Sequence, residues 1–436
     1  MPNDWLVEER CPQCGGPVSM HEADRILTCA YCKVRLYVLA GGALAKYCLP
    51  VKPAPIGTIV MVPYWRLRAH RYRLLPSGVV PGAADCTALA ADVPGLASSL
   101  GVRAQAVPLR FATPAAEGRF LPATRPPDLV FQQLERLRRV EQGLASGPRA
   151  SEEREAAPFE ATITTASSLV YTPVRVSARS VFDAVLNRRV AGIDADRWND
   201  AVPGADDRPA PVRFLATLCP ECGWQLEGAT DTLILLCVNC GRGWRAGKSQ
   251  LVPADFDVLP ADGWTPDAHL PFWRAEARAA ATWADFVRLV NLPRVVQAAW
   301  EREPLGIWFP AFAAHPDQFL RAAQTLTCAR PGRREAAATE QASTPAEQAP
   351  ASLQPRKCRA VTLPEAALDE ALFVLLASLG HARRGMREIL AGIDLHVHER
   401  RLVYVPARFN GRELVNPELG LTVQRSLRSS SFSSQL

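Results

Sequence analysis

The sequence predicts an α+β fold of two tandemly duplicated units, each opening with a four-cysteine segment and continuing into a small β-rich domain with flanking helices. Three repeated features support it. The cysteine pattern occurs twice, at an offset of 208 residues. The same offset relates Val62–Arg66 to Leu270–Arg274, both aliphatic-Pro-aromatic-Trp-Arg. A Leu-Val-Tyr-x-Pro-x-Arg segment then follows in each half, at Leu169–Arg175 and Leu402–Arg408, so the order of features is the same twice.

Eight of the twelve cysteines form two pairs of Cys-x-x-Cys motifs. Four thiolates at this spacing bind one tetrahedral metal ion, and we predict two structural Zn²⁺ ions because four sulfur ligands leave no open position for a reactive water. A rubredoxin-like iron is the alternative. The predicted ligands are Cys11, Cys14, Cys29 and Cys32 for one ion and Cys219, Cys222, Cys237 and Cys240 for the other.

The segments Cys11–Cys32 and Cys219–Cys240 resemble zinc ribbons of the rubredoxin-knuckle type, which occur in transcription, replication and ribosomal proteins and in many bacterial scaffold proteins. The resemblance covers about a tenth of the chain. It implies a structural zinc ion and a small three-stranded platform that binds nucleic acid or protein. It does not choose between these two partners.

Composition and charge narrow the class of protein. The chain has 436 residues, of which 48% are hydrophobic and 22% charged, as in globular proteins of several domains. We expect a cytoplasmic protein, because signal-peptide and membrane-span patterns are missing and the cysteine pattern suits a reducing compartment. The formal charge of +6 falls to about +2 once eight thiolates and two Zn²⁺ are counted. Such a small charge gives no support for nucleic acid as the partner.

The predicted elements follow the duplication. Ile59–Leu74 is predicted to be a strand, and Pro63 within it indicates an edge or bulged strand because proline cannot donate to the ladder. Further on, the pattern predicts a helix beginning at Asp128, a strand over Ala161–Val176, a helix over Ala275–Leu289 and another over Asp317–Leu326. After these, Pro364 begins an amphipathic helix. Its apolar face comprises Leu368, Leu372, Leu375, Leu376 and Leu379.

These elements predict the following domains. The first ribbon spans 1–50 and the first β-rich unit 51–198, followed by a linker at 199–210 that is rich in Asp, Pro and Ala. The second ribbon spans 211–255, and its unit spans 256–328 and 359–425. Between them, residues 329–358 lack aromatics and are expected to be disordered, as is the Ser-rich tail at 426–436.

One strand of the first unit carries a concentration of positive charge. Residues 51–84 contain no acid, and arginines alternate there with aromatic residues, as in proteins that hold single-stranded nucleic acid. The alternative is a solvated strand face, or one paired with acids such as those of residues 151–155, because the second unit has no matching run. The candidate binding surface comprises Tyr64, Arg66, Arg68, Arg71, Tyr72 and Arg73.

Outside the cysteine motifs, no constellation of His, Cys and Asp suggests catalysis. We therefore expect a non-enzymatic scaffold or adaptor that binds another protein through its two ribbon-plus-β units. The alternative is a nucleic-acid-binding protein that uses the basic strand together with the ribbons.

Overall fold

The computed structural model describes residues 5–39, 44–52, 57–75, 78–101, 107–127, 159–202, 204–277, 282–289, 295–330, 353–379 and 397–425. Strands predominate over helices in this part of the chain, which agrees with the predicted α+β class. None of the helices described there has the length and apolar character needed to cross a membrane. The predicted helix at Asp128 and the tail at 426–436 lie outside the described residues.

The two cysteine segments form ribbons that share a sheet. In the first ribbon the strands are β1 (Leu6–Arg10), β2 (Pro17–His21), β3 (Ile26–Thr28) and β4 (Arg35–Leu39). In the second they are β13 (Arg213–Ala216), β14 (Leu226–Glu227), β15 (Ile234–Cys237), β16 (Gly243–Ala246) and β17 (Leu251–Pro253). Strand β13 pairs with β4 of the first ribbon rather than with the other named strands of the second. This antiparallel pairing gives a sheet of order β13-β4-β3. Strands β1 and β2 form a separate two-stranded sheet, and β14-β15-β16-β17 form a four-stranded one, so neither ribbon has the expected three-stranded platform of its own.

The first β-rich unit is an eight-stranded sheet centred on two long antiparallel strands. Its strands are β5 (Ala45–Cys48), β6 (Thr58–Leu75), β7 (Gly78–Leu89), β8 (Arg110–Phe111), β9 (Arg119–Phe120), β10 (Phe159–Val176), β11 (Val181–Asp183) and β12 (Arg188–Arg189), and helix α1 (Ala195–Ala201) follows. Strands β6 and β10 pair along their whole length, with a bulge between Thr164 and Ala166.

The prediction that Pro63 marks an edge strand is wrong, because β6 lies between β10 on one side and β7 and β9 on the other. The ladder to β9 ends at Met61 and the ladder to β7 begins at Tyr64. Pro63 occupies the gap between these ladders, where its carbonyl accepts a 3.0 Å bond from the Ala90 N–H. The missing proline N–H therefore removes no ladder bond.

The second β-rich unit is a six-stranded sheet covered by helices. Its strands are β18 (Phe256–Val258), β19 (Ala268–Ala277), β20 (Gly306–Pro310), β21 (Val397–Asn410), β22 (Glu413–Asn416) and β23 (Leu421–Gln424). Its helices are α2 (Trp283–Leu289), α3 (Pro316–Ala329) and α4 (Ala367–Leu379), with 3-10 turns at Ala298–Glu301 and Pro355–Lys357. Helix α2 begins later than predicted because β19 continues to Ala277.

The central strand pairs of the two sheets have the same register. Trp65 lies opposite Leu169, and Trp273 lies opposite Leu402. Each of the two indole N–H groups donates to a backbone carbonyl, at 2.6 Å from Trp65 and 2.9 Å from Trp273. A strand runs parallel beside each pair, β5 along β10 and β18 along β21.

The closing hairpins match as well. Asp183 begins the turn between β11 and β12, where its carboxylate accepts from the Leu186 N–H, and Asn416 does the same for Leu419 between β22 and β23. A weaker sequence similarity, between Val107–Phe111 and Phe309–Phe312, is not matched in the structure, because β8 pairs with β5 whereas β20 pairs with β19.

The two ribbons pack on opposite faces of these matching sheets. Val170 in the first sheet faces a core that includes Val7 and Met20 of the first ribbon. In the second sheet the neighbouring side chains, Leu402 and Tyr404, face Ile234 and Leu236 of the second ribbon. The opposite face of the second sheet is covered by α3 instead. The ribbons and their sheets are therefore arranged differently in the two halves.

Helices α3 and α4 connect the halves through one core. The predicted apolar face of α4 is confirmed for Leu368, Leu372, Leu375 and Leu376, which are buried. They share a cluster with Phe319 of α3 and with Tyr72 and Ile163 of the first sheet.

Two predicted linkers contain folded residues. Helix α1 crosses the boundary between 198 and 199, and its Trp198 is fully buried. The Asp207 N–H donates to the Phe120 carbonyl at 2.7 Å, so the segment after α1 contacts the first sheet. Residues 353–358, the end of the second linker, form a 3-10 turn and bury Cys358, whereas 331–352 lie outside the described residues.

Candidate metal centres

The structure brings the four cysteines of each predicted set together. The closest sulfur pairs are 3.7 Å (Cys11–Cys32) and 3.6 Å (Cys14–Cys29) in the first ribbon, and 3.6 Å (Cys219–Cys240) and 3.5 Å (Cys222–Cys237) in the second. Zn–S bonds of roughly 2.3 Å in a tetrahedron place sulfurs about 3.8 Å apart. The four sulfurs of each set lie within 4.8 Å of one another, and all the cysteines are free thiols rather than disulfides. Both sets can therefore hold a metal ion.

The knuckle backbone explains the glycine after the second cysteine. Gly15 and Gly223 have φ values of 73° and 72°, the left-handed region that glycine enters without strain. Their N–H groups donate to the Cys11 and Cys219 carbonyls, each at 2.8 Å. The tight turn directs both sulfurs of each knuckle toward one point.

Backbone hydrogen bonds favour the thiolate form of one cysteine in each set, whereas burial opposes it. One cysteine of each knuckle is buried, and Cys14, Cys32 and Cys222 are exposed at the surface. The backbone N–H of Cys32 lowers the pKa of the Cys29 thiol to about 6, and that of Trp224 lowers the pKa of Cys222 to about 6. Each set thus contains a thiol that ionises near neutral pH, and thiolate is the form that binds metal.

The chemistry of the donor set limits what such a metal can do. Four thiolates fill a tetrahedral coordination sphere, so water cannot bind and become a nucleophile. The four-sulfur geometry fits the predicted zinc and also the iron alternative. With zinc such a set is a structural centre, whereas with iron it is a redox centre, and neither metal has a position open to a catalytic water.

The basic strand is placed differently from the prediction. Tyr64, Arg66, Arg68 and Tyr72 share one face of β6 as the alternation requires, but Tyr64, Arg66 and Tyr72 are buried. The hydroxyl groups of Tyr64 and Tyr72 donate to the carbonyls of Ala97 and Pro316, both at 2.9 Å. These three side chains therefore cannot form part of an exposed binding surface.

Ion pairing accounts for the buried arginines. The Arg66 Nε lies 3.3 Å from the Glu22 carboxylate, and the guanidinium also pairs with Asp85 and stacks on Trp5 at 4.5 Å. Arg68 pairs with Glu22 as well. Glu22 and Trp5 belong to the first ribbon, which covers this face next to α3, and Asp85 lies on the neighbouring β7. Arg66 and Arg68 are thus paired with acids, but the acids are Glu22 and Asp85, whereas residues 151–155 lie outside the described residues. Arg71 and Arg73 are partly buried on the opposite face of β6.

The structure also reveals a Cys–His pair that no sequence motif indicated. His269 and Cys358 lie across a parallel bridge and are both buried. Burial lowers the pKa of His269 to about 4 and raises that of Cys358, so the pair consists of a neutral imidazole and a protonated thiol. A substrate cannot reach it, and a thiol is a poor nucleophile. This pair is therefore not a catalytic site.

Comparison with known proteins gives no further assignment: no protein-family model, no curated protein and no solved structure matches this chain.

Proposed function

We propose that this protein is a non-enzymatic, zinc-dependent scaffold or adaptor that binds another protein. The observation that carries the proposal is the closed geometry of both cysteine sets. A centre with four sulfur ligands contributes folding energy rather than chemistry, on the order of 10 kcal/mol for structural zinc. Both centres lie at the shared sheet β13-β4-β3, where they stabilise the contact between the two halves of the chain.

The proposal includes an internal duplication. Its support is the common register of the central strands and closing hairpins, together with the position of Asp183 and Asn416 at equivalent turns. Zinc binding does not require any of these matches. A duplicated unit suits a scaffold because it presents two related surfaces on one chain.

Protein is preferred to nucleic acid as the partner because the arginines that suggested nucleic acid are engaged. Arg66 and Arg68 both pair with Glu22, so neither is an exposed phosphate ligand. We also place the protein in the cytoplasm, since two thiolate metal centres suit a reducing compartment.

Metal analysis tests the first part of the proposal. Native mass spectrometry and X-ray fluorescence of the purified full chain should find two zinc ions per chain. Iron, or a single ion, would contradict it.

Affinity purification after cross-linking in the native host tests the second part. The tagged chain should recover one protein in stoichiometric amount, and the double variant Cys14→Ser/Cys222→Ser should lose it. Recovery of nucleic acid instead, with sub-micromolar binding of a single-stranded oligonucleotide at physiological salt, would favour the alternative function.

A further inference from the structure

Exposed apolar side chains concentrate around the two metal centres. The described part of the chain has seven large hydrophobic residues that are exposed, and four of them belong to the knuckles or adjoin them. These four are Tyr31 (65% exposed), Trp224 (55%), Leu218 (48%) and Val238 (38%). A soluble fold has no need to place tryptophan and tyrosine rings in water at such positions, so these four residues are candidates for an interaction surface.

The shared sheet places the four residues beyond the same end of its strands β4 and β13. Strands β4 and β13 are antiparallel, and the Thr217 N–H and hydroxyl both donate to the Arg35 carbonyl, at 3.4 and 3.1 Å. Cys32 precedes Arg35 by three residues and Cys219 follows Thr217 by two. At about 3.3 Å per residue, both knuckles lie within roughly 10 Å of this pair along the chain, in the same direction. We call Tyr31, Leu218, Trp224 and Val238 the ribbon-tip surface.

Each metal centre has one exposed aromatic ring, supplied from a different position. In the first ribbon the Tyr31 ring covers Gly16 so closely that an added Cβ would lie 2.9 Å from it. In the second ribbon Trp224 stands at the position of Gly16, and Asn239 stands at that of Tyr31. Each ribbon therefore exposes one aromatic ring, but at a different position in its cysteine motifs. Neither ring is buried enough to be explained by folding alone.

Charge determines which partner this surface suits. Two zinc-loaded tetrads carry a formal charge of −4, since each combines four thiolates with one Zn²⁺. Within two residues of a ligand cysteine the exposed charged side chains are Arg10, Lys33, Glu221 and Arg242, and their formal charges sum to +2. Arg242 is already paired with Glu221 at 3.1 Å. A net charge of about −2 around apolar side chains repels a phosphate backbone and attracts a cation.

We propose that the ribbon-tip surface binds a protein segment in which an aromatic or aliphatic anchor is flanked by Lys or Arg. This inference rests on the proposed scaffold function and names the chemistry of its partner. Trp and Tyr supply much of the binding energy in protein interfaces because they offer a large, rigid contact area. The two rings and the adjacent aliphatic side chains contact the anchor, while the metal centres favour the flanking cations.

A peptide-display selection on the zinc-loaded full chain tests the inference. The baits are the wild type, Tyr31→Ala, Trp224→Ala and the matched control Val295→Ala, which removes a side chain that is 88% exposed and outside the ribbons. The wild type should enrich peptides with an apolar anchor and Lys or Arg neighbours. A synthesised peptide should bind at least tenfold more weakly to Trp224→Ala and equally well to Val295→Ala. Two zinc ions and an unchanged melting temperature establish that each variant is folded.

The other outcomes are equally decisive. Enrichment of acidic peptides, binding that Trp224→Ala leaves unchanged, or a single-stranded oligonucleotide that binds in a Trp224-dependent way would overturn the inference. If the cross-linked native partner maps to another face, the ribbon-tip surface is refuted and the scaffold function stands. If the chain has no protein partner at all, both are refuted.

Discussion

At the scale of single residues, the deeply buried carboxylate of Glu22 is stable only because two guanidinium groups lie against it. Its side chain and that of Arg66 are 5% and 4% exposed, so both charges have lost most of their hydration. A buried ion pair adds little net stability, but an unpaired buried charge is very costly. Glu22 also lies on the ribbon side of the contact with β6. The first ribbon must therefore pack against β6 for the charges of Arg66 and Arg68 to be neutralised by Glu22.

We predict that Glu22→Gln lowers the free energy of unfolding by about 3–5 kcal/mol, because Arg66 and Arg68 lose the carboxylate that neutralises them. Denaturant unfolding of the zinc-loaded protein measures the change. The matched control is Asp257→Asn, which removes the partner of Arg401 in an exposed pair at 3.5 Å and should cost at most about 1 kcal/mol. Equal effects of the two variants would contradict the argument.

The buried histidines predict a loss of stability in acid. Burial lowers the pKa of His269 to about 4, against about 6.5 in the unfolded chain. Above pH 6.5 the residue is neutral in both states and has no effect; between pH 6.5 and 4 only the unfolded state gains the proton and is favoured. His269→Met should remove this loss, about 2 kcal/mol at pH 5. Methionine is the chosen replacement because it is apolar, cannot take up a proton, and occurs as Met61 at the matching strand position of the first sheet.

Comparing urea unfolding of His269→Met and the wild type at pH 7 and pH 5 isolates this residue, since acid also protonates the cysteine ligands of both proteins. A difference between the two proteins that does not change with pH would show that His269 titrates in the folded protein as it does in the unfolded chain. His70 is buried in the same way, with its pKa lowered to about 4.

At the scale of elements, local patterns predicted what depends on local chemistry. The knuckle spacing gave all eight cysteines of the two sets, and the repeated Trp and Tyr segments fell in paired strands. The predictions that were wrong concern contacts between residues that are distant in sequence. The alternation on β6 correctly placed Arg66 and Tyr72 on one face, but it contains no information that a ribbon and a helix cover that face. Likewise, Pro63 would indicate an edge strand only if one neighbouring strand paired with β6 without interruption. In the structure two strands, β9 and β7, pair with β6 on either side of Pro63.

The sheet shared by the ribbons predicts that they unfold together. Tyr37 of β4 packs in one cluster with Leu235 and Trp244 of the second ribbon. Cys14→Ser should therefore reduce the bound zinc below one ion per chain and increase hydrogen exchange in β13–β17 as well as in β1–β4. Native mass spectrometry and hydrogen exchange provide the readout, with Cys86→Ser as the control for losing a thiol outside the tetrads. Independent ribbons would instead retain one ion and normal exchange in β13–β17.

At the scale of the whole molecule, one hydrophobic core joins the two halves of the chain. Helices α3 and α4 belong to the second half, yet they cover the far end of the first sheet. The Thr164 N–H of β10 donates to the Glu370 carboxylate of α4 at 2.6 Å, and the His70 ring lies 5.1 Å from Phe319 of α3. The two β-rich units thus share a core to which both contribute buried side chains.

Separating the halves should therefore expose that core. We predict that residues 1–210 expressed alone bind the dye ANS and melt without a cooperative transition, because Tyr72 and Ile163 lose their cover. Co-expression with residues 211–436 should restore a soluble complex with two zinc ions and a single transition, since most of the lost contacts reform between the fragments. A first half that melts cooperatively by itself at the temperature of the intact protein would show that the shared core does not couple the two units.

In the full chain, Tyr72→Ala should lower the free energy of unfolding by about 3–5 kcal/mol, because it leaves a cavity in the shared core. Tyr72→Phe should lower it by only about 1 kcal/mol, because this substitution removes just the hydrogen bond to Pro316.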